Sequence, residues 1–218
     1  PRLAWFYIGL VAFFAGAVLL WFFTLADIFQ PDKVLLATLC VLTIVITETH
    51  QIPIRNKTSV TVSTAVIFGC LLILDTGLAT WSTAIGMALV YPRLRRRWYN
   101  TLFNTGAYVL TVFIAQMVYR SLNNAETMPF STWANTMALL LAGLAYFMAN
   151  TGLVAIAIDL RNQRPLGQSW PGVAGGMGAE YFSLLLLGSL AALLYDINKL
   201  LVVLIIIPVI IVYDAYKT

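Results

Sequence analysis

Long apolar runs alternate with short polar segments along the whole chain. Eight such runs can be separated, and they cover residues 3–25, 34–47, 58–74, 78–91, 101–119, 132–158, 181–195 and 200–216. The apolar positions are continuous within each run, whereas the strands of a membrane β-barrel alternate apolar and polar residues. In lipid, a helix pairs every backbone polar group within its own segment. The pattern therefore predicts about eight transmembrane helices.

Composition supports a membrane protein. Hydrophobic residues make up 61% of the chain and charged residues only 10%, whereas a soluble domain has about 25% charged residues. Several predicted spans are shorter than the roughly 20 residues that cross a bilayer squarely. Helical extension into the loops, or snorkelling side chains at the helix ends, would supply the missing length. We expect residues 1–218 to form one all-α integral membrane bundle.

The basic residues predict the orientation of this bundle. Lys and Arg accumulate on the cytoplasmic side of membrane proteins, and the loop between the fourth and fifth runs holds Arg93, Arg95, Arg96 and Arg97. With eight spans and this loop inside, both termini are cytoplasmic. The inside set then comprises Arg2, Arg55, Lys57, Arg93, Arg95, Arg96, Arg97, Arg161, Arg164 and Lys217. The outside set is only Lys33, Arg120 and Lys199.

Glu48 and His50 lie in the polar segment that follows the second run. Histidine titrates near neutral pH, so this pair could bind a metal or sense protons. Against that hypothesis, His50 is the single histidine of the chain. A solvated loop is the favoured interpretation. Cys40 and Cys70 both lie inside apolar runs and are expected to be small buried residues, and no metal site is predicted.

Three amide side chains interrupt apolar runs: Asn104 and Gln116 in the fifth run and Asn150 in the sixth. Amides inside membrane helices usually form hydrogen bonds to neighbouring helices. A structural clamp is therefore favoured, and contact with a ligand is the alternative.

No catalytic motif appears in the chain, so whether it is or belongs to an enzyme stays open. The glycines of residues 172–178 lack the Gly-Lys-Ser/Thr ending of a phosphate loop. We expect this segment to be a flexible loop at the membrane interface, or a site of close helix packing. No cofactor is predicted. A nucleic-acid partner is not predicted either, because the basic residues do not occupy a broad water-exposed domain.

Four short polar patches occur in a characteristic order. They are residues 47–50 (Thr-Glu-Thr-His), 59–65 (Ser-Val-Thr-Val-Ser-Thr-Ala), 95–104 (Arg-Arg-Arg-Trp-Tyr-Asn-Thr-Leu-Phe-Asn) and 146–151 (Tyr-Phe-Met-Ala-Asn-Thr). With the final span, this order resembles the N-terminal polytopic membrane region of bacterial signalling proteins. The resemblance covers roughly residues 45–218. Those proteins carry an HD-GYP cyclic-di-GMP phosphodiesterase, a GGDEF cyclase or a histidine kinase as output domain.

The resemblance implies a sensing and anchoring module in the bacterial inner membrane, whose last span passes a signal to a cytoplasmic output domain after residue 218. It implies no catalytic residue within this chain. Two other classes remain open: a small-molecule uptake or binding subunit, and an accessory subunit of a bioenergetic or photosynthetic complex. Expected partners are the lipid bilayer and a second copy or a larger membrane complex.

The predicted orientation can be tested with reporter fusions. Alkaline phosphatase is active only outside the cytoplasm. We expect a fusion after Arg96 to be inactive and a fusion after Asn124 to be active. A fluorescent protein that folds only in the cytoplasm should give the opposite pattern. Active phosphatase after Arg96 would contradict the orientation.

Overall fold

The computed structural model describes residues 2–25, 31–50, 52–54, 58–93, 97–122 and 132–202. These residues form seven α-helices, a two-stranded hairpin and a short 3-10 helix. In chain order they are α1 (Arg2–Leu25), α2 (Pro31–Thr49), β1 (Ile52–Ile54), β2 (Thr58–Val60), α3 (Ser63–Ile73), α4 (Thr76–Arg93), α5 (Trp98–Leu122), α6 (Trp133–Asn162), α7 (Trp170–Ile197) and the 3-10 helix (Lys199–Val202).

The predicted helical fold is confirmed, whereas the number of spans and the orientation of the termini stay predictions. Within the described part of the chain, four helices are long and apolar enough to cross a membrane: α1 over Arg2–Phe23, α5, α6, and α7 over Gly178–Ile197. The apolar part of α4 is shorter, and α3 has only 11 residues. At 1.5 Å per residue, α3 is about 16 Å long, whereas the hydrocarbon core is about 30 Å thick. Most of the predicted eighth span lies outside the described residues.

The helices run alternately between two faces of the bundle. Helices α1 and α5 are parallel, because Trp5 packs on Tyr99 near their starts, with ring centroids 4.9 Å apart. Helix α4 runs the other way, since Trp81 near its start packs 6.1 Å from Phe23 near the end of α1.

The charged helix ends separate between these two faces. We call the face at the starts of α1 and α5 the basic face, because its helix ends carry Arg2, Arg97, Arg161 and Arg164. The opposite face carries Lys33, whose Nζ lies 3.9 Å from Asp75 Oδ2. Arg120 and Lys199 lie at helix ends on that same face. This separation agrees with the predicted orientation, and which face is cytoplasmic stays a prediction.

The short helix α3 forms the centre of the bundle. Eight of its 11 residues are buried, and it packs parallel to α7 at a point where both helices carry glycine. A Cβ on Gly188 would collide with the carbonyl oxygen of Ala65, and a Cβ on Gly69 would lie 3.2 Å from the carbonyl oxygen of Gly188. Small residues let the backbones of membrane helices approach closely, so this contact tolerates no side chain at Gly188.

Two segments differ from the prediction. Residues 58–60 are a strand that pairs with β1, with Ile52 opposite Val60, so the third helix begins at Ser63 rather than at Thr58. The glycine-rich segment 172–178 is not a loop but part of α7. Glycine costs about 1 kcal/mol relative to alanine in a helix interior. That cost is smaller than the cost of leaving backbone groups unpaired in lipid.

Helix α7 begins early because its first turn is stabilised from α6. The carboxylate of Asp159 is completely buried and accepts hydrogen bonds from the backbone N–H of Ser169, at 3.1 Å and 3.4 Å. Pro171 lies in the first turn of α7, where its missing N–H costs no hydrogen bond. The α6–α7 connection is therefore much shorter than the predicted segment 159–180.

The glycine contact between α3 and α7 predicts a strong position effect. We expect Gly188→Ala to lower the free energy of unfolding by about 1–3 kcal/mol, the usual cost of overpacking. Gly175→Ala on the same helix is the matched control, because its Cβ would meet nothing within 4 Å. Thermal unfolding in detergent measures both. Equal stability of the two variants would contradict the packing described here.

Candidate functional site

A buried carboxylate lies where α2 meets the start of α3. Glu48, near the end of α2, is only 4% exposed. Its Oε2 accepts a hydrogen bond from the hydroxyl of Ser63 at 2.5 Å, and the Ser63 and Thr61 hydroxyl oxygens are 2.7 Å apart. A charged group excluded from water is costly unless it is paired or hydrogen-bonded. The hydroxyl-rich start of α3 therefore provides part of the solvation of Glu48.

Polar side chains of α6 and α7 face the same region. The Asn150 amide donates to the Tyr181 hydroxyl at 2.7 Å, and both residues are buried. Tyr146 is fully buried, and its hydroxyl makes no hydrogen bond within the described part of the chain. Both tyrosines lie in the same buried part of the bundle as Glu48 and Thr64.

These side chains form one buried polar cluster, defined as Glu48, Thr61, Ser63, Thr64, Tyr146, Asn150 and Tyr181. They come from α2, the segment after β2, α3, α6 and α7. Most of their surroundings are apolar, since Phe68 packs edge-to-face on Tyr146 and Phe147 on Tyr181. Polar clusters inside membrane proteins are rare, costly and usually functional.

The structure separates Glu48 from His50. Glu48 points into the bundle, whereas His50 is exposed, and its Nδ1 lies 2.7 Å from the Ile46 carbonyl oxygen. The prediction of a solvated loop is therefore wrong for Glu48, which lies on the inner side of the last turn of α2. The two side chains therefore lie in different environments, one buried and one exposed. Among the described residues no group of three metal-ligating side chains occurs.

Gln116 is a structural clamp, as the amide pattern predicts. Its Nε2 donates to the carbonyl oxygens of Leu71 and Leu74, at 2.9 Å and 3.0 Å. Both carbonyls belong to the C-terminal end of α3, where the last four carbonyls of a helix have no partner within the helix. One side chain of α5 thus satisfies two acceptors that water cannot reach, because Gln116 is 1% exposed.

The other sequence-predicted residues lie elsewhere. Asn104 is half-buried on α5, next to Phe103, which packs with Val11 of α1. No described contact joins it to the buried polar cluster or to Gln116. In the basic loop, Arg93 ends α4 and Arg97 precedes α5, whereas Arg95 and Arg96 lie outside the described residues.

Several residues of the cluster have no distinct sequence signal. Tyr146 and Tyr181 belong to apolar runs and count as hydrophobic by composition, so their buried hydroxyls are not visible in the pattern. The hydroxyl-rich stretch at residues 58–64 was a usable signal, because such residues often form hydrogen bonds to neighbouring helices.

An apolar cavity of about 290 Å³ adjoins the cluster between α6 and α7. It is lined by Phe147, Tyr181 and Phe182, together with Phe68 of α3. Gly143 and Gly178 also line it, and their missing side chains leave room at its wall. The cavity therefore begins beside the tyrosine whose hydroxyl belongs to the cluster.

Comparison with known families identifies the class of the chain. The family model MASE9 matches residues 18–216, nearly the whole length. The chain belongs to the MASE9 family. MASE domains are membrane sensor regions of signalling proteins, in agreement with the resemblance seen in the sequence. No curated protein and no solved structure matches the chain.

The stability of the MASE9 chain should depend on the side chain of Gln116 and not on that of Asn104. We expect Gln116→Leu to lower the free energy of unfolding by about 1–3 kcal/mol, because two buried carbonyls lose their donor. Asn104→Leu, a matched amide on the same helix, should change it by less than about 0.5 kcal/mol. Thermal unfolding in detergent distinguishes the two, and an equal loss in both would argue against the clamp.

Proposed function

We propose that this MASE9 chain is the sensing and anchoring module of a bacterial signal-transduction protein in the inner membrane. The module crosses the lipid bilayer several times and passes its signal through the last predicted span to a cytoplasmic output domain. An HD-GYP phosphodiesterase is the output domain that the sequence resemblance favours, with a GGDEF cyclase or a histidine kinase as alternatives. The module acts as a homodimer or within a larger membrane complex, without a nucleic-acid partner.

The observation that carries the proposal is the buried polar cluster. Within it, a hydrogen bond between Ser63 and Glu48 joins α3 to α2, and a hydrogen bond between Asn150 and Tyr181 joins α6 to α7. Hydrogen bonds between membrane helices contribute about 0.6 kcal/mol on average. A ligand or a change of protonation at the cluster would therefore shift the balance between two helix arrangements without unfolding the bundle.

Helix α7 offers a direct route from the cluster toward the C-terminus. It carries Tyr181 in its first half and Gly188, the contact with α3, two turns later. A 3-10 helix follows it directly. A small shift of α7 at Tyr181 would be transmitted along a rigid helix, since packed interfaces switch between discrete arrangements.

The described contacts do not favour the first alternative, a small-molecule uptake or binding subunit. An uptake subunit should have a polar pocket lined by Asn104, Gln116 and Asn150. Gln116 is instead bound to the end of α3, Asn150 is bound to Tyr181, and Asn104 lies away from both. The described cavity is apolar and touches none of these three amides.

The test uses the full-length gene product in its own bacterium. Tyr181→Phe removes one hydroxyl of the cluster, and Tyr195→Phe is the matched control on the same helix. We expect Tyr181→Phe to change cellular cyclic-di-GMP, or autophosphorylation if the output is a kinase, by about threefold. Membrane abundance should stay equal. Unchanged output from Tyr181→Phe at normal abundance would contradict a signalling role for the cluster.

A further inference from the structure

Three aromatic side chains meet at the basic face where α1 and α5 begin. The Trp5 ring centroid lies 4.9 Å from that of Tyr99 and 6.0 Å from that of Trp98. Despite these contacts, Trp98 is 70% exposed and Trp5 is 50% exposed. Indole rings have an apolar body and a polar N–H, and they collect at membrane–water interfaces. We therefore expect these three aromatic rings to lie at the level of the lipid headgroups.

A guanidinium group is fixed beside these rings. Arg97 Nη1 donates to the Tyr99 hydroxyl at 2.9 Å, and the guanidinium carbon lies 6.0 Å from the centre of the Tyr99 ring. Arginine has five N–H donors in a planar fork that matches phosphate oxygens. The bond to Tyr99 uses one donor and restricts the orientation of the others. Within the described residues, no carboxylate forms an ion pair with Arg97.

The surroundings of this guanidinium are positively charged. The exposed charged side chains at described helix ends on the basic face are Arg2, Arg97, Arg161 and Arg164. Of the described carboxylates in this half of the bundle, Glu48 and Asp159 are buried and accept hydrogen bonds from Ser63 and from the Ser169 backbone, and Glu180 is half-buried within α7. The accessible surface is therefore complementary to an anion.

We propose that this arginine–aromatic patch, formed by Trp5, Arg97, Trp98 and Tyr99, binds the headgroup of an anionic phospholipid. The phosphate binds the guanidinium, and the lipid backbone rests against the indole rings. The acyl chains follow the apolar surface of α1 and α5, where Phe6 and Leu102 are exposed. A zwitterionic lipid is a weaker ligand, because its ammonium group faces the same positive surface.

Native mass spectrometry of the detergent-purified chain tests the proposal. Protein is mixed with equal amounts of phosphatidylglycerol and phosphatidylcholine, and the two bound lipids are counted. We expect the wild-type chain to retain phosphatidylglycerol preferentially. Arg97→Ala should lower this preference about fivefold, the effect of one basic residue near an anionic surface. The substitution is at an exposed position, and an unchanged thermal unfolding curve confirms that the variant is folded.

Lys199→Ala is the matched control. Lys199 Nζ lies 5.9 Å from the centre of the Tyr195 ring on the opposite face, so it is also a cation on tyrosine at a helix end, and we expect it to keep the wild-type preference. Three outcomes overturn the proposal: a wild-type chain without preference, an equal loss in both variants, or displacement of the lipid by equimolar inorganic phosphate. The last outcome would assign the patch to free phosphate.

Discussion

The carbonyl groups at the end of α3 carry the constraint on which the bundle depends. Helix α3 ends at Ile73, and the carbonyl groups of Leu71 and of the following Leu74 belong to buried residues. Leaving such a group unpaired away from water carries a free-energy cost. The side-chain amide of Gln116 on α5 donates hydrogen bonds to two of these carbonyl groups. Because that bond fixes α5 against α3, the helices that pack on either one are positioned as well.

Close packing against α7 also holds α3 in place. Gly69 and Gly188 let α3 and α7 approach until backbone meets backbone, and Gly86 of α4 leaves room for Ile44 of α2 in the same way. In lipid there is little hydrophobic force between helices, so such contacts and interhelical hydrogen bonds provide most of the association energy. The short helix is therefore held along one side by shape and at its end by a polar clamp.

The buried polar cluster follows from the same arrangement. The start of α3 brings Ser63 and Thr64 to the depth at which Glu48, Tyr146 and Tyr181 converge. The hydroxyl groups at the start of α3 offset the free-energy cost of burying the Glu48 carboxylate. The Asn150 amide offsets the cost of burying the Tyr181 hydroxyl. A polar group here that loses its partner destabilises the packed state, which makes the cluster sensitive to small changes. That sensitivity is the physical basis for our proposal that this part of the MASE9 chain senses the signal.

The sequence by itself determined the membrane class, the approximate positions of seven helices and the separation of the basic residues, because these depend on local hydropathy and charge. It also favoured hydrogen bonds from Asn104, Gln116 and Asn150 to other helices, which the structure shows for Gln116 and Asn150. Only the tertiary structure decided that residues 172–178 are helical, since the turn at the end of α6 brings Asp159 to the start of α7.

The tertiary structure also decided that Glu48 is buried and His50 exposed. A helix turns neighbouring side chains to different sides, and hydropathy does not specify which side meets another helix. The convergence of Tyr146 and Tyr181 on Glu48 likewise required the packing of α3, α6 and α7, because contacts between residues distant in the chain leave no local pattern.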